Sequence, residues 1–291
     1  MRYSSIHTHT VFCDGTDEVE TMCRAAFARG LASIGFSAHA PVTGKTGIRT
    51  GWHLPDGDLE KYCDEVRAAK RRWEGRLPVY LGLEVDYIRG LMGPSDRDIQ
   101  ELGTDYLIAS VHFIVPAAGA PFTVDGPPEE LERGIREGFS GDGGALMKSY
   151  WDTTAEMIRA GGFDILGHAD IVKKNNAGLR FYDAGGDACL RGFAEIARLA
   201  GEAGIVAEIN TGGINRKKID ETYPSLPFLR EFRKHRVPVV ITADAHRAED
   251  LDGHYGEACR TLLAAGYTEH HLFEGRRAGK AVWRAEKLTG P

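Results

Sequence analysis

The stretch that decides the fold is Leu77-Pro-Val-Tyr-Leu-Gly-Leu-Glu-Val-Asp-Tyr87. Its apolar run from Val79 to Leu83 is typical of a buried strand, and the run ends on a carboxylate, Glu84. A carboxylate at the carboxyl end of a barrel strand lies where the side chains of all the strands converge on one mouth. We therefore predict that the molecule is organised around Glu84.

Five other apolar runs end in the same way, but on histidines. The strand-end histidines are His7 and His9 in the first run, then His39, His112, His168 and His246. If these strands are parallel neighbours, their ends bring six imidazoles and several carboxylates together, and the two oxygens of Glu84 could bridge metal ions. The pattern indicates a multinuclear metal hydrolase.

Strand and helix patterns alternate along the whole chain. Seven strands are each followed by a helix or a loop, we find no antiparallel hairpin pattern, and residues 256–265 are predicted to form the closing helix. Functional residues at the strand ends favour an α/β fold of the TIM-like (β/α)7 barrel type over a doubly wound open sheet, in which the edge strands would lie too far apart. The length of 291 residues fits one domain, residues 1–291.

One long segment, residues 115–144, interrupts this alternation. It is rich in glycine, proline and acidic residues, and connections of this length are often functional. We predict that it forms a flap beside the mouth of the barrel.

Composition narrows the class of protein. The chain is 42% hydrophobic and 27% charged with a net charge of −6, which argues against a nucleic-acid partner. Neither a signal peptide nor an apolar run of about 20 residues is present, so we expect no membrane partner. The five cysteines are scattered without a C-x-x-C pair, which favours reduced thiols and a cytoplasmic location. The sequence carries no signal for oligomeric state.

Pairs of candidate ligands sit two residues apart. His7 and His9 leave the same face of a strand, and Asp244 and His246 share this spacing. Either pair alone is weak evidence, because hydrogen-bonded core histidines would explain it. Six of the eleven histidines lie at strand ends, and hydrogen bonding in a core does not readily explain all six. A mixture of imidazole and carboxylate ligands suits zinc, manganese or iron. Asp14 could be a further ligand or an ordinary turn residue.

Basic residues just beyond the strand ends point to an anionic substrate. Lys174 follows the His168 strand, and Arg216 follows a glycine-containing turn. Each could be a solvated surface charge, but beside metal ions they are suited to hold a phosphate. Asp170 could orient His168 through a hydrogen bond.

Several motifs together resemble the polymerase-and-histidinol-phosphatase (PHP) family over nearly the whole chain. These motifs are His7-Thr-His-Thr-Val-Phe-Cys-Asp-Gly15, Gly35-Phe-Ser-Ala-His39, Gly82-Leu-Glu-Val-Asp-Tyr87, Phe163-Asp-Ile-Leu-Gly-His168 and Ala243-Asp-Ala-His246. Ser110-Val-His-Phe113 and Glu208-Ile-Asn-Thr211 resemble the monofunctional histidinol-phosphatase branch. One departure is Ala38, where the family often has aspartate.

The resemblance implies a distorted (β/α)7 barrel with three divalent transition-metal ions (Zn, Mn or Fe) at the carboxyl ends of the strands. It implies a first ion on His7, His9, Glu84 and Asp244, a second on Glu84, His112 and His168, and a third on Asp14, His39 and His246. The implied reaction is hydrolysis of L-histidinol phosphate, a small phosphorylated substrate, in histidine biosynthesis. We assign catalytic roles to Glu84, Asp244, His246 and Arg216, and substrate binding to Lys174 and Arg216.

Three alternatives stay open at this point. The same metal site could serve a nuclease or phosphodiesterase, which the acidic net charge disfavours. A metal-dependent amidohydrolase would have less use for Lys174 and Arg216. A metal-binding domain without activity is disfavoured by the complete set of nine candidate ligands.

Overall fold

The structure is a computed structural model that describes residues 2–289. The strands are β1 (Ile34–Phe36), β2 (Val79–Asp86), β3 (Tyr106–Ser110), β4 (Phe113–Ile114), β5 (Phe122–Thr123), β6 (Ile165–Leu166), β7 (Val206–Asn210), β8 (Val239–Thr242), β9 (Glu269–Arg277) and β10 (Lys280–Lys287). The helices are α1 (Val19–Ala28), α2 (Thr43–Thr46), α3 (Leu59–Arg72), α4 (Arg97–Gln100), α5 (Pro128–Phe139), α6 (Gly143–Ala160), α7 (Asp187–Ala203), α8 (Gly212–Asn215), α9 (Leu226–Lys234) and α10 (Tyr255–Ala265). Among these residues, no helix has the length and apolar character that a membrane crossing requires.

Six strands form one parallel sheet in the order β1-β2-β3-β6-β7-β8. The gap between the two edges is filled by residues 5–9, where Ser5 bridges Ile34 and Thr8 bridges Ala245, both in parallel. The backbone N–H of His9 donates to the Ala245 carbonyl at 2.8 Å. The sheet therefore curls into a distorted barrel, which confirms the predicted fold class and argues against the open sheet.

The interior of the barrel is a small apolar cluster. Its buried members are Ile6, Tyr106, Ile108, Ile165, Val206, Val240 and Phe273. The Tyr106 hydroxyl donates to the Ile6 carbonyl at 2.5 Å and so ties the first segment to β3. Gly82 makes room for this ring, since a Cβ there would lie 2.5 Å from the Tyr106 ring. The candidate ligands gather beyond this cluster, at the carboxyl ends of the strands.

The structure after α10 differs from the prediction. Residues 255–265 do form α10, but the chain then continues as an antiparallel hairpin, β9 and β10, so the expectation of no hairpin was wrong. The hairpin inserts Phe273 into the base of the barrel, with ring centroids 4.8 Å from Tyr80 and 5.3 Å from Tyr106. About half of the residues in β9 and β10 are charged, and Ala278-Gly279 is a weak turn signal, so tertiary packing rather than local pattern decides this element.

The segment 115–144 has its own structure. It follows β4 directly, contributes β5, which pairs with β4 in antiparallel fashion, and continues into α5. Gly134 lets α5 pack directly on β5, because a Cβ at this position would overlap the Phe122 ring. Thr123, Asp125 and Gly126 line the cavity at the barrel mouth. Its role as a flap, and the assignment of residues 1–291 to one domain, stay predictions.

Candidate metal centre

The carboxyl ends of the strands bring all nine predicted ligands together. Their donor atoms fall into four overlapping groups within 4.8 Å: His9, Asp14, His39 and His246; His7, Glu84 and His168; His7, His9 and Asp244; and His39, Glu84 and His112. Seven of the nine line a cavity of about 290 Å³, and His7 and His9 lie beneath it, fully buried. The predicted residues are therefore neighbours, although which ion each of them holds stays a prediction.

Glu84 lies at the centre of this cluster. Its side chain is buried, and each of its oxygens faces a different set of imidazoles. Oε2 lies 3.0–3.6 Å from the ring nitrogens of His7, His9 and His39, whereas Oε1 lies 2.9 Å from His168 Nε2 and 3.6 Å from His112 Nε2. This arrangement is the one that a bridging carboxylate requires.

Two further carboxylates complete the groups. Asp244 Oδ1 lies 3.2 Å from His9 Nε2, and the residue adopts the left-handed backbone conformation with φ +48°. Such strained conformations concentrate at functional sites. Asp14 Oδ2 lies 3.0 Å from His246 Nε2. Gly15 allows this return of the loop, because a Cβ there would overlap the His9 backbone. The position of Asp14 favours the ligand over the simple turn residue.

The residues fit metal ions. Across residues 2–289, several buried polar atoms of the cluster have no hydrogen-bond partner, namely Asp14 Oδ1, His7 Nε2, His9 Nε2, His39 Nδ1 and Glu84 Oε2. Leaving buried polar atoms unpaired is unfavourable, so a cluster of lone-pair donors that face one another needs a cation. The mixture of imidazole and carboxylate suits zinc, manganese or iron.

The pKa shifts within the cluster are consistent with metal binding. Burial and the neighbouring His246 and His39 lower the pKa of His9 to about 3, so this imidazole is neutral, as a ligand must be. Burial alone would raise the pKa of Glu84, but His39 and the other imidazoles hold it well below its usual range. Burial also opposes protonation of His112, but Asp86 and Glu84 raise its pKa to about 10. Metal binding must therefore displace protons.

Two buried carboxylates that we did not predict hold the ligands in place. Glu208 accepts hydrogen bonds from the His7 ring at 2.8 Å and from the His168 backbone at 2.6 Å. Asp86 contacts the His112 ring at 2.9 Å and the His53 ring at 2.7 Å. The contacts with the His7 and His112 rings use Nδ1, whereas Nε2 of each ring faces Glu84, and this fixes the tautomer. The sequence signal that could have identified Asp86 and Glu208 is a charged residue inside an otherwise apolar strand.

The predicted hydrogen bond between Asp170 and His168 is not formed. Asp170 does not contact His168; its Oδ2 accepts from the Ser225 backbone at 2.8 Å and lies 3.3 Å from Lys173. The chain turns into a 3₁₀ helix directly after Asp170, at residues 171–175. The two-residue spacing of a strand therefore does not persist to this position.

The predicted phosphate ligands lie at the mouth. Arg216 donates to Asp244 Oδ2 and to the Asp244 carbonyl, both at 2.8 Å. Gly212 leaves space for this contact, since a Cβ there would lie 2.8 Å from Asp244 Oδ2. Lys174 donates to the Asp125 carbonyl at 2.6 Å. Arg216 therefore contacts a candidate ligand directly, and both cations line the same cavity as Glu84.

A larger cavity, of about 1030 Å³, adjoins the first. It shares Lys174 and Lys218 with the smaller cavity, and its walls include Trp151, Tyr182 and Phe193. None of the nine candidate ligands lines it. We therefore place the chemistry in the smaller cavity.

Known proteins resemble this chain over most of its length. A Deinococcus radiodurans protein named "Probable histidinol-phosphatase" is 28% identical over 261 residues, covering 89% of this chain and 92% of its own. The histidinol-phosphatase of Bacillus subtilis is 26% identical over 261 residues, covering 84% and 94%.

A solved structure shares the fold. The histidinol phosphate phosphatase of Lactococcus lactis, complexed with zinc, L-histidinol and phosphate, has a TM-score of 0.64 at 19% identity and covers 95% of this chain and 99% of its own. The family model described as PHP domain matches residues 5–212. The barrel with its strand-end histidines and this match together show that the chain belongs to the PHP domain family.

Proposed function

We propose that this protein is a metal-dependent phosphomonoesterase that hydrolyses L-histidinol phosphate to L-histidinol and phosphate. The observation that carries the proposal is Glu84, whose two oxygens face two sets of imidazoles beside the cations Arg216 and Lys174. Two relatives named for this activity support it, as does the zinc, L-histidinol and phosphate bound in the Lactococcus lactis protein.

Three ions would be held by the nine clustered residues. The first set is His7, His9, Glu84 and Asp244, the second is Glu84, His112 and His168, and the third is Asp14, His39 and His246. In each set, every imidazole has a nitrogen within 3.8 Å of a carboxylate oxygen of the same set, and Glu84 is shared between the first two. Zinc, manganese and iron all suit these donors.

Such ions lower the pKa of bound water and neutralise charge that develops on a phosphoryl group. The residues of the chain orient the substrate. Arg216 and Lys174 bind the non-bridging phosphate oxygens, because both line the cavity and a guanidinium matches two oxygens at once. Asp244 holds Arg216 in place through its second carboxylate oxygen. Histidine biosynthesis is the role that this substrate gives the enzyme.

The substrate assignment is tested with a panel of phosphoesters. We expect kcat/KM for L-histidinol phosphate to exceed that for other phosphomonoesters, dinucleotides and para-nitrophenyl phosphodiesters. The reason is that the cavity is small and is lined by the basic side chains of Lys174, Arg216 and Lys218. Steady-state phosphate release by one metal-loaded preparation gives all the values. A dinucleotide that is hydrolysed as fast as L-histidinol phosphate would favour the phosphodiesterase alternative.

Replacement of Arg216 tests the phosphate contact. A charge-assisted hydrogen bond contributes about 1.5–3 kcal/mol, so Arg216→Ala should lower kcat/KM for L-histidinol phosphate by about 10- to 150-fold. Arg216→Lys should recover only part of the loss, since an ammonium cannot contact two oxygens in the same plane. Because Arg216 also holds Asp244, the assays use saturating metal, and metal content is measured alongside.

Lys217→Ala is the matched control, because this exposed neighbour carries the same charge and does not line the metal cavity. Wild-type kcat/KM in Arg216→Ala would show that the phosphate is held elsewhere, with Lys174 as the next candidate.

A further inference from the structure

The cavity above the candidate ligands is lined by residues of mixed charge. Apart from those ligands, its described lining residues are Trp52, Thr123, Asp125, Gly126, Ile171, Lys174, Arg216 and Lys218. Three of them are cations, which match a phosphate. Asp125 is the one carboxylate in this set, and a phosphate does not explain it.

Asp125 keeps acceptor capacity that faces the cavity. Its backbone carbonyl takes the short contact from Lys174 at 2.6 Å, whereas its carboxylate oxygen Oδ2 lies 3.4 Å from the same ammonium. The side chain is about one-fifth exposed. A carboxylate can accept several hydrogen bonds, and this contact uses only part of that capacity.

A second polar group lies on the same wall. The hydroxyl of Thr123 is buried, and the structure of residues 2–289 shows no hydrogen-bond partner for it. The residue is 7% exposed and lines the same cavity as Asp125. Its hydroxyl packs against Gly126, where a Cβ would overlap it. This stretch of the 115–144 segment therefore presents the partly exposed Asp125 carboxylate to the cavity, with the buried Thr123 hydroxyl next to it in the wall.

A carboxylate in a phosphate site disfavours most phosphoesters. Asp125 repels the dianionic phosphate; Lys174 offsets part of this repulsion, and a substrate with a positive charge near the ester offsets more of it. An interaction that attracts one substrate and repels its competitors is an efficient source of specificity. L-histidinol phosphate carries such a charge on its amino group.

We infer that Asp125 is a specificity-determining residue that binds the ammonium group of the substrate, with Thr123 beside it. The enzyme would thereby select phosphomonoesters of amino alcohols, and the 115–144 segment would supply this selection. The inference rests on the proposed function and adds the part of the substrate that is recognised besides the phosphate.

The test compares two substrates that differ in one charge. L-histidinol phosphate and its N-acetyl derivative share the phosphate and the imidazole, but only the first carries an ammonium. At pH 8 the imidazole is largely neutral, because its unperturbed pKa is about 6.5, so the two substrates differ in charge at the amino group alone. The acetyl group also adds bulk, so the role of Asp125 is measured as the change in the kcat/KM ratio between wild type and variant. We expect wild-type enzyme to prefer the charged substrate, and Asp125→Asn to lower the ratio of the two kcat/KM values by about 10- to 100-fold.

Two further variants serve as controls for Asp125→Asn. Asp125→Asn retains the backbone carbonyl that Lys174 contacts, and Asp125→Glu retains the charge and should keep most of the preference. Glu129→Gln, an exposed acid in the same segment, should leave both kcat/KM values within about twofold, as expected for a surface change.

The possible failures differ from one another. Wild-type enzyme that hydrolyses neither substrate would overturn the proposed function. Wild-type enzyme that hydrolyses both equally well would overturn only the role of Asp125. A preference that survives unchanged in Asp125→Asn with full metal content would also overturn it, because the ammonium would then be bound elsewhere.

Discussion

Replacing Glu84 with glutamine is expected to remove two metal ions together and to lower kcat/KM for L-histidinol phosphate by at least about a thousandfold. An amide has one oxygen acceptor, whereas Glu84 presents one carboxylate oxygen to each of two imidazole sets. Bound metal contributes several kcal/mol to stabilising the transition state, and each 1.36 kcal/mol is tenfold in rate. Elemental analysis and phosphate release on the same preparation measure both effects.

Glutamine is chosen because it preserves the volume of a side chain that is 1% exposed. Glu60→Gln makes the same chemical change at an exposed position on α3 and should keep wild-type metal content and activity. If Glu84→Gln retains every ion of the wild-type protein, Glu84 does not bridge.

Removal of the Glu208 carboxylate should have the largest effect on stability. This fully buried group accepts hydrogen bonds from four donors, namely the His7 ring, the His168 backbone, the Asn210 amide and the Thr242 hydroxyl. Removing one partner from a buried charged network costs about 3–5 kcal/mol, so Glu208→Ala should lower the free energy of unfolding by about this amount. Urea unfolding, with and without chelator, separates the network from the contribution of bound metal.

The same variant should also bind metal about 10- to 100-fold more weakly, since Glu208 orients His7. Glu202→Ala, on the exposed face of α7, is the control and should cost less than about 1 kcal/mol. A Glu208→Ala protein as stable as this control would show that the buried network contributes little.

The centre of the site was predictable because parallel strands end at the same mouth. Once His39, His112 and His168 are assigned to strand ends, topology brings them together around Glu84 without any knowledge of distances. Asp14 could not be decided in this way, because it lies in a loop whose path depends on Gly15. The structure returns that loop to His246.

Contacts made across the fold were harder to predict. Glu208 contacts His7 although the two residues are 201 positions apart in the chain, and Arg216 contacts Asp244 from a turn that no periodic pattern describes. The terminal hairpin was missed because its anchor, Phe273, is defined by the barrel interior that receives it. Such contacts follow from tertiary packing, which local sequence patterns do not encode.

Dependence of the hydrolysis on bound metal tests the account most directly. Phosphate release from L-histidinol phosphate is measured for one preparation as purified, after removal of metal by chelator, and after addition of zinc, manganese or iron. We predict that activity disappears with the metal and returns when about three ions per chain are restored. Undiminished hydrolysis by protein that elemental analysis shows to be free of metal would contradict the account.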